Sequence, residues 1–150
     1  MNGGILGFFK EYRFLSNFWL CKNVFLDGLE YPSVEHAYQA AKTFNITIRT
    51  KILNENRPGD VKRIGSKITL RLDWDEVKFK VMKELVFQKF NNNYGLKNLL
   101  LKTGDRYLEE SNPWHDNTWG NCTCVRCSHI PGKNMLGKIL MEVRSQLIKV

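Results

Sequence analysis

Tyr31-Pro32-Ser33-Val34-Glu35-His36-Ala37-Tyr38-Gln39-Ala40-Ala41-Lys42-Thr43-Phe44 reads as a helix with a marked start. Pro32 bars helix before it, and Ser33 can accept a hydrogen bond from a backbone N–H two or three residues on. Val34, Ala37, Tyr38, Ala41 and Phe44 recur at helical spacing as a core-facing stripe. Two alanines in that stripe let a second element pack close. Glu35, Gln39 and Lys42 are separated by steps of four and three, so they share one line along the opposite face. Two readings of that line stand. A solvated helix face commonly carries these residue types. A site wall would use Glu35 for protons or ribose hydroxyls, and Lys42 as a phosphate contact or an attacking amine. Helical spacing does not choose between them.

The remaining chain sets the frame. At 150 residues it is expected to fold as one domain, 1–150, with a sizeable core. Lysine and arginine outnumber the acids 23 to 15, a net charge of +8. That excess favours a polyanionic substrate or partner: nucleic acid, nucleotide or phosphosugar. No apolar run approaches the roughly 20 residues of a membrane helix, so no membrane partner is expected. Met1-Asn2-Gly3-Gly4 lacks the character of a signal peptide, and a cytoplasmic location is the expectation. Three of the four cysteines, Cys122, Cys124 and Cys127, fall within six residues, an awkward framework for disulfides.

Ile5-Leu6-Gly7-Phe8-Phe9 is β-like, and Phe14-Leu15-Ser16-Asn17-Phe18 follows as an aromatic turn. Val24-Phe25-Leu26 and Leu29-Glu30-Tyr31 flank Asp27-Gly28, a strong hairpin signal. After the central helix, residues 47–54 form a short basic helix stopped by Arg57-Pro58-Gly59, and residues 60–67 another. Asp73 and Glu76 have the spacing of a capping box. Val77, Val81, Met82, Leu85, Val86 and Phe90 then mark a long amphipathic helix, ended by Asn91-Asn92-Asn93 and Gly95. Leu96, Leu99 and Leu100 make a short apolar helix, and residues 106–110 a short strand. Residues 111–133 are loop-like, long enough to suggest function. The last helix starts near Asn134, with Leu136, Ile139, Leu140, Val143 and Leu147 on one face and Gly137 open to close packing. The fold class is therefore α+β, mostly α: packed helices with a few short strands, including an N-terminal hairpin.

Chemistry could sit in three further places. Asn112-Pro113-Trp114-His115-Asp116-Asn117-Thr118-Trp119-Gly120 offers tryptophans that could stack on a base or form a lid. Its Asp116 could be a general base or a turn residue. Gly132-Lys133-Asn134 precedes a helix, where unpaired N–H groups favour an anion, although Asn134 also suits an ordinary cap. Cys122, Cys124, Cys127 and His129 bring soft ligands close. They can be read as a zinc knot or as packed, reduced thiols, and paired C-x2-C units would be the stronger zinc signal.

As a set, these residues resemble the YbiA-like, or NADAR, family. The motifs are Phe14-Leu15-Ser16-Asn17-Phe18, the stretch from Tyr31 to Lys42, Asp73-Trp74, Asp116-x-x-Trp119-Gly120 and Gly132-Lys133-Asn134-Met135-Leu136-Gly137-Lys138-Ile139-Leu140-Met141, in that order. The resemblance covers nearly the whole chain. It implies an α-rich fold and an N-glycosidase activity, on phosphoribosylamino-pyrimidine intermediates of riboflavin synthesis or on ADP-ribosyl-guanine in DNA. Carried over by motif, Glu35, Lys42 and Asp116 are the expected catalytic residues. Asn17, Trp74, Trp119, Gly120, Lys133 and Asn134 are the expected substrate contacts. No cofactor and no metal is assigned. The expected partner is an ADP-ribosyl or phosphoribosyl substrate, with ADP-ribosylated DNA as one form. A non-catalytic module that binds ADP-ribose or nucleic acid is the alternative. Cys122, Cys124 and Cys127 are expected to be reduced and dispensable for the chemistry. The insertion over residues 122–131 departs from the shorter, glycine-rich linker of the riboflavin-type members.

Overall fold

Residues 3–149 are described by the computed structural model. They divide into two units, one spanning Asn17–Tyr94 and the other joining the chain before Asn17 to the chain after Tyr94. In chain order the elements are β1 (Ile5–Leu6), a 3-10 helix (Lys10–Leu15), β2 (Val24–Leu26), β3 (Leu29–Tyr31), α1 (Val34–Ala41), α2 (Ile46–Leu53), α3 (Pro58–Gly65) and α4 (Trp74–Asn91). Then come α5 (Tyr94–Lys102), β4 (Leu108–Glu109), β5 (Ser111–Asn112), β6 (Asn121–Cys122), a 3-10 turn (Val125–Cys127) and α6 (Met135–Ile148). The fold is α+β with helix predominating, as expected. Among the described residues, no helix is long and apolar enough to cross a membrane.

In the Asn17–Tyr94 unit, β2 and β3 pair antiparallel about Asp27-Gly28. Those two residues take φ of 49° and 82°, the left-handed pair that a tight hairpin turn needs. The chain then enters α1, which packs on α2, α3, α4 and both strands. Ser33 caps it as expected, accepting from the His36 N–H. The other end is closed by two arginines. Arg49 Nε donates to the carbonyls of Ala40 and Thr43, and the Arg71 N–H donates to the carbonyl of Lys42. Carbonyls that a helix C-terminus would leave open are satisfied this way. Arg49 also pairs with Asp27 in the hairpin turn at 2.6 Å.

Several expectations change here. Phe44 is not core: it is 66% exposed, with the Arg71 guanidinium 4.2 Å from its ring centroid. Arg57-Pro58-Gly59 starts α3 rather than stopping α2, with Pro58 in the first turn, where its missing N–H costs nothing. The capping box is not formed. Asp73 is the cap residue of α4, but its carboxylate is taken by Arg71 in a two-pronged ion pair. On α4 the buried residues are Trp74, Met82, Leu85, Val86, Lys89 and Phe90. Val77 and Val81 are only half-buried, and Lys89 is a lysine in a core position.

In the other unit, β1 pairs with β4 and β5 with β6, both in parallel. The stretch 111–133, loop-like by sequence, contains a strand pair and a 3-10 turn. Helix α6 buries Leu136, Ile139, Leu140, Val143 and Leu147 as its spacing predicts. A Cβ at Gly137 would overlap the Leu108 carbonyl and the Asn134 amide, so glycine is what lets α6 meet β4.

Candidate active site

Every residue of α1 is buried, so the Glu35 and Gln39 line is not a solvated face. Glu35 is 6% exposed and Gln39 4%. Gln39 Nε2 donates to Glu35 Oε1 at 2.7 Å, fixing the carboxylate one turn away. Room for the Gln39 amide comes from α3, where a Cβ on Gly65 would overlap it. Asn17 is beside this start of the helix: its carbonyl accepts the Glu35 N–H, and its amide points at Met82 Sδ. His36, on the other side, is a structural peg. Nε2–H donates to the Glu55 carbonyl, and Nδ1 accepts from the Ser33 hydroxyl. Burial lowers its pKa and keeps the ring neutral.

Lys42 ends the same line, half-buried, with Nζ 5.7 Å from the centroid of the Tyr38 ring. Its pKa is pushed below the lysine range, chiefly by burial. Glu35 opposes that shift and Lys62 on α3 adds to it. Trp74, at the first turn of α4, is 5.2 Å from Tyr38 between ring centroids, inclined by 55°. An acid, an amide, a shifted amine and two aromatic rings are therefore gathered in one unit. Tyr38, Lys62 and Gly65 were missed in the sequence. Tyr38 was one turn before Lys42 and thus within reach, whereas Lys62 and Gly65 depend on how α3 packs. A groove of about 790 Å³ opens between α2 and α3, lined by Asn45, Lys51, Arg63 and Lys67 among others. Neither Glu35 nor Lys42 lines it.

The other expected residues belong to the second unit and are woven into its loop. Asp116 Oδ1 accepts the N–H groups of Thr118 and Trp119, as a turn residue does. Asn112, which the sequence did not single out, organises the same loop. Its amide donates to the Asp116 carbonyl and its Oδ1 accepts from Trp114 and Asp116. Gly120 is buried, and a Cβ there would overlap the Glu110 carbonyl. Asn134 sits in the left-handed region at φ 49° and does not cap α6 with its side chain. Instead its amide bridges Glu110 N–H, the Leu108 carbonyl and the Tyr107 hydroxyl. The anion reading of this helix start fails for the backbone. The N–H groups of Lys133, Asn134, Met135 and Leu136 donate to the carbonyls of Asn117, Gly120, Thr118 and Trp119. Only the exposed Lys133 side chain remains for an anion. The cysteine cluster also changes its histidine: His115, not His129, meets Cys122, Cys124 and Cys127.

The sequence and the fold meet in one comparison. The family model described as the NADAR domain matches residues 7–148. This chain belongs to the NADAR domain family. Among relatives, the NADAR chain is 34% identical to N-glycosidase YbiA of Escherichia coli (strain K12), over 98% of this chain and 91% of that protein. It is 35% identical to N-glycosidase Npun_R5314 of Nostoc punctiforme, over 92% of this chain and 87% of that one. It is 34% identical to the riboflavin biosynthesis protein VVA0006 of Vibrio vulnificus, but spans only 36% of that protein's length. The solution structure of E. coli YbiA superposes with a TM-score of 0.84 at 32% identity, over 98% of this chain and 86% of the other.

Proposed function

We propose that this NADAR domain is an N-glycosidase, hydrolysing the bond between C1 of a phosphate-bearing ribose and the nitrogen of a base. One observation carries the reading: on a single face of α1, a buried carboxylate, Glu35, is followed two turns on by an amine, Lys42, held below the lysine pKa range. A solvated face would bury neither group, and a pure phosphate contact gains nothing from a nearby acid. The relatives named as N-glycosidases support the same class.

Cleaving such a bond requires a proton for the departing nitrogen, relief of positive charge at C1 and a nucleophile. Glu35, oriented by Gln39, suits the proton transfer and the charge at C1. Lys42 suits attack at C1: the C–N bond breaks, the ribose opens to an imine, and water releases the sugar and the free amine. That route needs neutral amine, which burial and Lys62 favour. Tyr38 and Trp74, 5.2 Å apart between ring centroids, wall the same site beside Lys42. The substrate is anionic in either form, ADP-ribosyl-guanine in DNA or a phosphoribosylamino-pyrimidine, and the net charge of +8 suits both.

The test is mass spectrometry of products after incubation with each substrate. Release of free base from one of them, abolished by Glu35→Gln, is the expected result. Tight binding of both without release would make the chain a binding module instead. Salt separates the substrates further: kcat/KM should fall steeply with ionic strength for a DNA-linked substrate and shallowly for a phosphosugar.

A further inference from the structure

Four side chains outside the proposed catalytic face converge in the loop between β5 and α6. Cys124 Sγ and Cys127 Sγ are 3.3 Å and 3.4 Å from His115 Nδ1, and Cys122 Sγ is 3.9 Å from it. All four ligand atoms lie within 4.8 Å of one another. In a tetrahedral zinc site, bond lengths of about 2.3 Å to sulfur and 2.0–2.1 Å to nitrogen put the sulfur–nitrogen edge at about 3.6 Å. The three observed separations bracket that value. A disulfide would join two sulfurs at about 2.05 Å and leave the third thiol and the imidazole without a role. All four cysteines of the chain are free thiols.

Secondary structure holds the set together. Cys122 belongs to β6, paired with β5 through Asn112, and His115 follows β5 in a turn at φ 67°. Cys124 and Cys127 are the ends of a C-x2-C turn, closed by the Cys127 N–H donating to the Cys124 carbonyl at 3.1 Å. Cys122 and Cys127 are buried, while His115 is exposed and leaves a path for entry. His129 is exposed and outside the group.

We propose that His115, Cys122, Cys124 and Cys127 bind one zinc ion in a closed Cys3His site that staples this loop. Three thiolates and an imidazole suit zinc over the hard cations. Four protein ligands leave no open position, so the ion is structural and not catalytic. Its mechanical effect falls on the segment whose carbonyls at 117–120 receive the start of α6.

The experiment starts with elemental analysis of the full chain purified under reducing conditions in zinc-containing buffer. About one zinc per chain is expected. Cobalt exchanged into the wild-type protein should give thiolate-to-metal charge transfer and the ligand-field bands of a tetrahedral ion. Cys124→Ser and His115→Ala should weaken metal binding on the order of 100-fold, and His129→Ala should leave it unchanged. If Cys124→Ser does not fold, the wild-type cobalt spectrum and competition against a chromophoric chelator still decide. Chelation should expose the 113–127 loop to protease and change the emission of Trp114 and Trp119. A metal-free folded protein with three reactive thiols would overturn the proposal. So would an intramolecular disulfide in the intact mass, an octahedral cobalt spectrum, an iron–sulfur cluster, or dependence on His129 in place of His115.

Discussion

Gln39 Nε2 donates to Glu35 Oε1 at 2.7 Å, within one buried face of α1. The carboxylate is thus aimed by its own helix, and the aiming amide is accommodated by Gly65 of α3. A charge out of water is expensive unless its hydrogen bonds are supplied. Keeping Glu35 there makes sense for a group that acts on a substrate, since a packed apolar residue would give a more stable helix.

Glu35→Gln should therefore separate stability from activity. The new amide can still accept the Gln39 N–H through its oxygen, so the melting temperature should change little. An amide neither carries a proton nor balances a cation, and kcat should fall roughly 100-fold or more. Calorimetry and product release assays check the two halves. Equal loss of folded protein and of activity would make Glu35 a packing residue.

Asn134 is expected to behave in the opposite way. Its amide joins Glu110, Leu108 and Tyr107 from a left-handed backbone. Asn134→Ala leaves buried partners unmet and adds strain at φ 49°, which should cost about 2–4 kcal/mol in urea unfolding. Under conditions where the variant stays folded, KM should be near wild type. A raised KM with unchanged stability would return Asn134 to the substrate.

The contrast between these residues marks what could be read in the sequence. The hairpin, the start of α1 and the apolar face of α6 were legible because turn chemistry, capping and periodicity act over a few neighbours. Glu35 and Gln39 shared a face by spacing, but whether that face was wet depended on α3, and Gly65 announces such a contact only once packed. Asn134 reads as a cap because local sequence is read with local partners, and its real partners, Tyr107, Leu108 and Glu110, are in β4 and on either side of it. Spacing points to His129 over His115 for the same reason: it is two residues from Cys127, whereas a strand pair brings His115 back. Phe44 kept the helical register past the point where Arg49 and Arg71 end the helix.

Lys89 predicts a pH dependence of stability. It is fully buried on α4, and desolvation pushes its pKa from 10.5 down to about 7, with Cys21 opposing. Between those values the unfolded chain binds the proton and the folded one does not, so stability rises with pH. Below about pH 7 both states are charged, and the penalty is complete and flat. The full rise should be on the order of 5 kcal/mol. In unfolding curves measured from pH 6 to 10, wild type should gain stability relative to Lys89→Met between about pH 7 and pH 10. Parallel curves would show that the buried amine keeps its proton.

Lys42 carries the sharpest prediction, because a contact and a nucleophile fail differently. A lysine used as a point charge tolerates arginine, which keeps the charge. One that attacks C1 does not, since guanidinium stays protonated at any working pH. Lys42→Arg should thus retain the fold and most ligand affinity yet lose roughly 100-fold or more in kcat. The pH profile gives a second, independent reading. The reactive form is the neutral amine, so kcat/KM should rise with pH and level off below 10.5, because burial and Lys62 lower the Lys42 pKa. Lys62→Met removes one lowering charge. The Lys42 pKa then rises, and the ascending limb moves to higher pH with less activity at neutrality. Borohydride added during turnover should leave a sugar adduct on Lys42. Near wild-type turnover in Lys42→Arg, with no adduct and an unmoved limb in Lys62→Met, would reduce Lys42 to an anion contact and leave the chemistry to Glu35.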